Sequence, residues 1–130
     1  NLSSLKKVSN CETFLLRDSE YNYDDCTKHF DKIISFKGAS KKAKMLDLLQ
    51  KCKAENIRSI LIEGGGTTLS TFIETKFAKT IQFHISPMLF GSGIKAVQLP
   101  EVNLVDETHK LNNMYVTQIG NSFMITAGLV

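Results

Sequence analysis

The sequence predicts an α/β fold: a mixed, mainly parallel sheet flanked by helices in a three-layer-like arrangement, closed by a C-terminal antiparallel hairpin. Three observations carry that prediction. Strand-like and helix-like segments alternate between residues 33 and 77, the order of βαβ units. The apolar run Ile60-Leu61-Ile62 ends on Glu63 and three consecutive glycines, as expected of a strand buried on both faces that closes in a tight turn. Beyond Thr80 the pattern changes to apolar–polar alternation, and two strand-like runs meet at Gly120-Asn121, a tight-hairpin dipeptide.

Taken in order, the elements are as follows. Thr13-Phe14-Leu15-Leu16 and Ile33-Ile34-Ser35-Phe36 are short strands, separated by a polar, turn-rich connection over Ser19–Asp25. The acids Asp18, Glu20, Asp24 and Asp25 lack the spacing and mid-loop glycine of a calcium loop. Ser40 is a candidate N-cap for a helix over 41–54, in which Met45, Leu48, Leu49 and Cys52 form one apolar stripe. Its lysines stay largely off that stripe, and Asn56 is a helix stop. Ile57 to Ile62 is the expected central strand. Leu69, Phe72, Ile73 and Phe77 define a second amphipathic helix after the glycines. Thr80 to Ser86 is a strand, Pro87 ends it, and Phe90-Gly91-Ser92-Gly93 is a loop. Residues 114–119 and 123–129 form the hairpin.

A chain of 130 residues suits one compact domain with a single core. The net charge of +3, with lysines and acids intermixed, does not call for nucleic acid or an anionic membrane as a partner. No apolar run approaches the roughly 20 residues of a transmembrane helix. The cysteines, Cys11, Cys26 and Cys52, are odd in number and widely spaced, as expected of free thiols in a reducing cytoplasm. His29, His84 and His109 have no metal-ligand spacing, so no metal site is expected. No serine-nucleophile elbow is present.

The chemistry-bearing stretch is therefore the turn Glu63-Gly64-Gly65-Gly66-Thr67. It matches neither the dinucleotide fingerprint nor a Walker loop. Glycines let a backbone approach a ligand closely, and the N–H groups of a helix start receive phosphate. Glu63 accepts hydrogen bonds either from the turn's own amides or from a bound hydroxyl or amine. On these residues alone, a ligand cradle and an empty glycine turn both remain open.

Two motifs in order, Ser59-Ile60-Leu61-Ile62-Glu63-Gly64-Gly65-Gly66-Thr67 and Ile85-Ser86-Pro87-Met88-Leu89-Phe90-Gly91-Ser92-Gly93, resemble the C-terminal reductase domain of the bifunctional riboflavin biosynthesis deaminase-reductase. That domain also occurs alone as a pyrimidine reductase, with a fold similar to dihydrofolate reductase. The resemblance covers residues 40–130 best. It implies NADPH-dependent reduction of 5-amino-6-(5-phosphoribosylamino)uracil, with hydride delivered to C1 of the ribose. Gly64, Gly65, Gly66 and Thr67 would then cradle the cofactor phosphates, and Glu63 would face the substrate.

The family's upstream Ser-Leu-Asp-Gly-type motif and its zinc deaminase motif are absent. Gly120-Asn121-Ser122 and Ala78-Lys79 stand where the family has acids. The sequence begins with Asn1, and it is expected to be the C-terminal portion of a reductase domain whose encoded chain extends upstream, incomplete for catalysis as given. The alternative is a non-catalytic nucleotide-binding or interaction module derived from such a reductase; a dihydrofolate-reductase-like enzyme acting on another heterocycle is a third option. A partial sheet leaves edges and apolar surface to be covered, so a homo-oligomer is expected.

Overall fold

The structure, a computed structural model, describes residues 12–21 and 30–130. Cys11, Cys26, His29, Asp24 and Asp25, and with them part of the expected polar connection, lie outside the described residues. The chain divides into two compact units, residues 1–60 and 61–130.

In the first unit β1 (Phe14–Asp18) and β2 (Lys32–Phe36) pair in parallel, Phe14 opposite Lys32 and Asp18 opposite Phe36. Helix α1 (Lys41–Ala54) follows β2. Ser40 caps it as expected: its backbone is extended and its Oγ accepts from the Ala43 N–H at 3.2 Å. Met45, Leu48 and Cys52 are buried, joined by Ile34 of β2. Asn56 ends the helix in the left-handed region (φ 62°), where asparagine is tolerated better than most residues. The amides of Asn56 and Ile57 turn back to the carbonyls of Lys53 and Cys52, the two bonds of a Schellman cap.

Polar contacts bind this unit at the carboxyl ends of its strands. Lys44 in the first turn of α1 donates to Asp18 (2.8 Å) and Glu20 (2.6 Å). Asp47 accepts from the Lys51 ammonium and from the Lys37 amide. Both arrangements hold the carboxyls below the usual aspartate range, chiefly through the lysine hydrogen bonds.

The second unit contains α2 (Gly66–Glu74), β3 (Thr80–Ile85), β4 (Leu111–Ile119) and β5 (Ser122–Leu129), with a single-turn 3₁₀ helix at Val105–Glu107. The strand order is β3-β5-β4, antiparallel throughout. The expected hairpin is present. Gly120 has φ 59° at the first of its two turn positions, where a primed turn takes positive φ. Strand β4 begins earlier than the pattern indicated, because a bulge between Asn112 and Tyr115, with Asn113 at φ 47°, resets the alternation. Ala127 and Thr126 of the middle strand are the most buried positions of the sheet.

Three expectations need correction. The run Ile57–Ile62 does not form a strand: no ladder pairs it, and Ile60 and Leu61 are exposed, Leu61 at 79%. An apolar run reports a preference for burial, whereas a central strand also needs a hydrogen-bonded neighbour on each side. Here β1 and β2 pair with each other and β3, β5 and β4 among themselves, so the described pairings are one parallel and two antiparallel. The mainly parallel sheet is therefore not seen. Phe77 also lies beyond α2, which ends at Glu74. Lys76 takes the left-handed position (φ 62°), and the Phe77 amide returns to the Phe72 carbonyl, completing a second Schellman cap.

Candidate functional site

The glycine turn opens α2 as the sequence indicated. Gly65 is the N-cap, with extended backbone (φ −72°, ψ 167°), and Gly66 is the first helical residue. No side chain caps this end. Among the described residues the amides of Gly66 and Thr67 have no acceptor, while those of Thr68 and Leu69 bond to the Gly65 carbonyl. A helix start with unused N–H groups and a positive dipole end is suited to an anion.

The three glycines differ in surroundings. At Gly65 an added Cβ would meet nothing within 4 Å, so this residue borders open space. At Gly64 it would meet Thr68 at 3.3 Å. At Gly66, which is buried, it would come 2.6 Å from the Lys95 carbonyl oxygen. Gly64 and Gly65 thus leave an approach from solvent, whereas Gly66 admits another backbone. Thr67 and Glu63 are exposed, and the Glu63 carboxylate makes no hydrogen bond or ion pair among the described residues. Among the described residues it does not cap the turn.

Gly66 packs against a segment that follows the second sequence motif. The segment Lys95–Gln98, which follows the Phe90–Gly93 loop, lies against the first turns of α2. Ser70 joins them: its Oγ donates to the Gly66 carbonyl at 2.5 Å and accepts the Gln98 N–H at 2.7 Å. Neither Ser70 nor Lys95–Gln98 was marked by the sequence pattern. The available signal was a serine four residues after Gly66, set among Leu69, Phe72 and Ile73 on an otherwise apolar helix face.

The histidines stand apart from this turn. His84 is exposed on β3, opposite Met124. His109 lines a small cavity with Ile73, Lys76, Ala78, Leu129 and Val130. Among the described residues no group of His, Cys, Asp and Glu is arranged to hold a metal. Cys52 is a buried free thiol in α1, and burial raises its pKa.

Residues 6–125 match the model of the RibD C-terminal domain. The chain belongs to that family. This RibD-type chain is also similar to the riboflavin biosynthesis protein RibD of Aquifex aeolicus, at 28% identity over 79 residues, covering 61% of the chain and 22% of the relative. Among solved structures, an Acinetobacter baumannii RibD (form 2) superposes with a TM-score of 0.68 at 14% identity, over 90% of this chain and 31% of that one. A putative riboflavin biosynthesis protein from Shewanella sp. PV-4 gives 0.62 at 18% identity, over 99% and 67%. The fold is therefore the mixed α/β, dihydrofolate-reductase-like one that the resemblance implied. The RibD-type chain spans less than a third of the length of the Aquifex and Acinetobacter proteins.

Proposed function

We propose that this chain forms the cofactor-cradling portion of a riboflavin-pathway reductase that uses NADPH to reduce 5-amino-6-(5-phosphoribosylamino)uracil to the ribitylamino product. The observation that carries the reading is the uncapped, open glycine turn at the start of α2 in a chain of the RibD C-terminal family. The turn fits a dinucleotide pyrophosphate: Gly65 offers space where a side chain would stand, and Gly66 and Thr67 offer amides that have no acceptor among the described residues.

In this reading the backbone of Gly64, Gly65, Gly66 and Thr67 binds the cofactor phosphates and fixes its register. Glu63, one residue upstream and without a partner among the described residues, accepts hydrogen bonds from substrate hydroxyls or its amine. When bound, NADPH supplies the hydride, and the protein's own contribution is orientation and exclusion of water. The exposed edge strand β4 and the apolar residues around it fit a homo-oligomer.

The test is a fluorescence titration of the chain with NADPH, followed by turnover assays with the pyrimidine substrate. Saturable binding that Gly65→Val abolishes supports the cradle. Absence of binding at millimolar NADPH refutes it. Binding without turnover, even when the chain is extended to the full length of its relatives, favours a nucleotide-binding module over an enzyme.

A further inference from the structure

Strand β4 is an open edge of the antiparallel sheet, and all nine of its residues are exposed. Its alternate positions therefore stand uncovered on both faces of the sheet: Tyr115 (58%) and Ile119 (50%) on one, Val116 (59%) on the other. Edge strands that stay single are usually short or carry lysine or proline. Strand β4 is long and holds no Asp, Glu, Lys, Arg or Pro, whereas the β1–β2 pair includes Arg17, Asp18 and Lys32. Its bulge lies between Asn112 and Tyr115, which leaves Tyr115–Ile119 as a regular ladder.

The hairpin fixes which backbone groups are left over. Ile119 and Ser122 flank the two-residue turn and form its closing hydrogen-bonded pair. By the alternation of an antiparallel ladder, Thr117 and Tyr115 also bond to β5, while Val116 and Gln118 turn their N–H and C=O groups outward.

A second β4 has free groups at the same spacing. Run antiparallel about a two-fold axis at Thr117, Val116 of each copy faces Gln118 of the other and exchanges two hydrogen bonds with it. Tyr115 then stands opposite Ile119 of the other copy, an aromatic–β-branched pair, and Thr117 stands opposite its own equivalent. Every pair joins uncharged residues, so a chain of net charge +3 meets itself here with no like charges in contact. Exposed Leu111, Met114 and Phe123 flank the ladder and extend the contact toward the roughly 800 Å² per partner of a stable interface.

We propose that β4 is a self-association surface: two copies pair their β4 strands antiparallel, centred on Thr117, and join two three-stranded sheets into one. The inference rests on the homo-oligomer reading and adds to it the surface and the register; it does not depend on the glycine turn.

Light scattering on the chain and on variants of the exposed Thr117 tests it. The wild type should have twice the 14.5 kDa of one chain. Thr117→Lys and Thr117→Glu set like charges opposite each other, so each should fall to the mass of one chain, and an equimolar mixture of the two should regain the double mass. Thr117→Cys should cross-link under mild oxidation, because opposite residues at a non-hydrogen-bonded position have Cα atoms about 4.5 Å apart, within disulfide reach. Tyr115→Cys, which faces Ile119 instead, should cross-link no more than the wild type with its own cysteines.

A single-chain mass for the wild type overturns the proposal and leaves the edge to a different partner, without touching NADPH binding at the glycine turn. A multimer that neither charge variant dissociates overturns it too, since its contact lies elsewhere. So does a mixture that stays at the mass of one chain. Should the charge variants fail to fold, as circular dichroism would show, the cysteine pair carries the test: equal cross-linking of Thr117→Cys and Tyr115→Cys overturns the register.

Discussion

Gly65 and Gly66 are neighbours of one residue type, and the structure assigns them opposite sensitivities. Gly66→Ala places a Cβ 2.6 Å from the Lys95 carbonyl oxygen and 3.5 Å from that of Ala96. Both obstacles are backbone, held in part by the Gln98–Ser70 bond, so neither can swing away as a side chain would. Relief requires a shift of roughly half an ångström or more, and overpacking of this kind costs about 1–3 kcal/mol. Replacing glycine by alanine in a helix returns up to about 1 kcal/mol, and less at its first residue. The expected net loss is about 1 kcal/mol.

Gly65→Ala meets no atom within 4 Å, and φ −72° suits any residue. Its slightly poorer capping and its reduced unfolded-state entropy nearly cancel, leaving a change within about 0.5 kcal/mol. The chain has no tryptophan, so urea unfolding is best followed by far-ultraviolet circular dichroism. A loss of 1 kcal/mol lowers the midpoint by about 0.5 M for an m-value near 2 kcal/mol/M. Binding should reverse the order: Gly65→Ala intrudes on the open approach and weakens NADPH although it leaves the fold intact. Equal stability of the two variants would refute the close approach at Gly66. Undiminished NADPH affinity in Gly65→Ala would refute the open cradle.

Other expected outcomes follow from the same geometry. Lys76 occupies the left-handed cap position at the end of α2, so Lys76→Gly should stabilise the chain by up to about 1 kcal/mol, and Lys76→Val should destabilise it, both read from urea midpoints. The Asp18 carboxyl is held below its ordinary value of 3.8 by Lys44, so the unfolded chain binds more protons in that range. Its stabilisation is present above the ordinary value and is lost as pH falls through the folded one. Asp18→Asn should therefore lower the thermal midpoint at pH 7, with the difference from wild type shrinking as pH falls below the ordinary carboxyl value and through the lowered folded one. Light scattering should give at least twice the 14.5 kDa of one chain, because β3 and β4 are open sheet edges and β4 is exposed throughout; a single-chain mass contradicts self-association.

Local devices were legible in the sequence because each is decided by neighbours in the chain. Ser40 and the stripe Met45–Leu48–Cys52 specify α1, and Asn56 its stop. Gly120-Asn121 specifies the hairpin, and alternation over Thr80–Ile85 specifies β3. The turn at Gly64–Thr67 was likewise visible, and with the Pro87–Gly93 motif it pointed to the family. Strand pairing was not legible. Ile60-Leu61-Ile62 has the composition of a central strand, but composition cannot supply the ladders on either side of it.

From sequence alone one reads a glycine turn that opens a helix, with Glu63 able to cap its amides or not, because a local pattern does not say where a flexible carboxylate points. Only the tertiary structure decided which glycine serves what. Gly66 is consumed by the fold, because the Lys95 carbonyl fills the place of its Cβ, while Gly65 stays open to solvent. The structure likewise turned Ser70 from a polar residue on an apolar helix into a link to Gln98. A hydrogen bond spanning 28 residues depends on where the chain returns, and no local pattern encodes that.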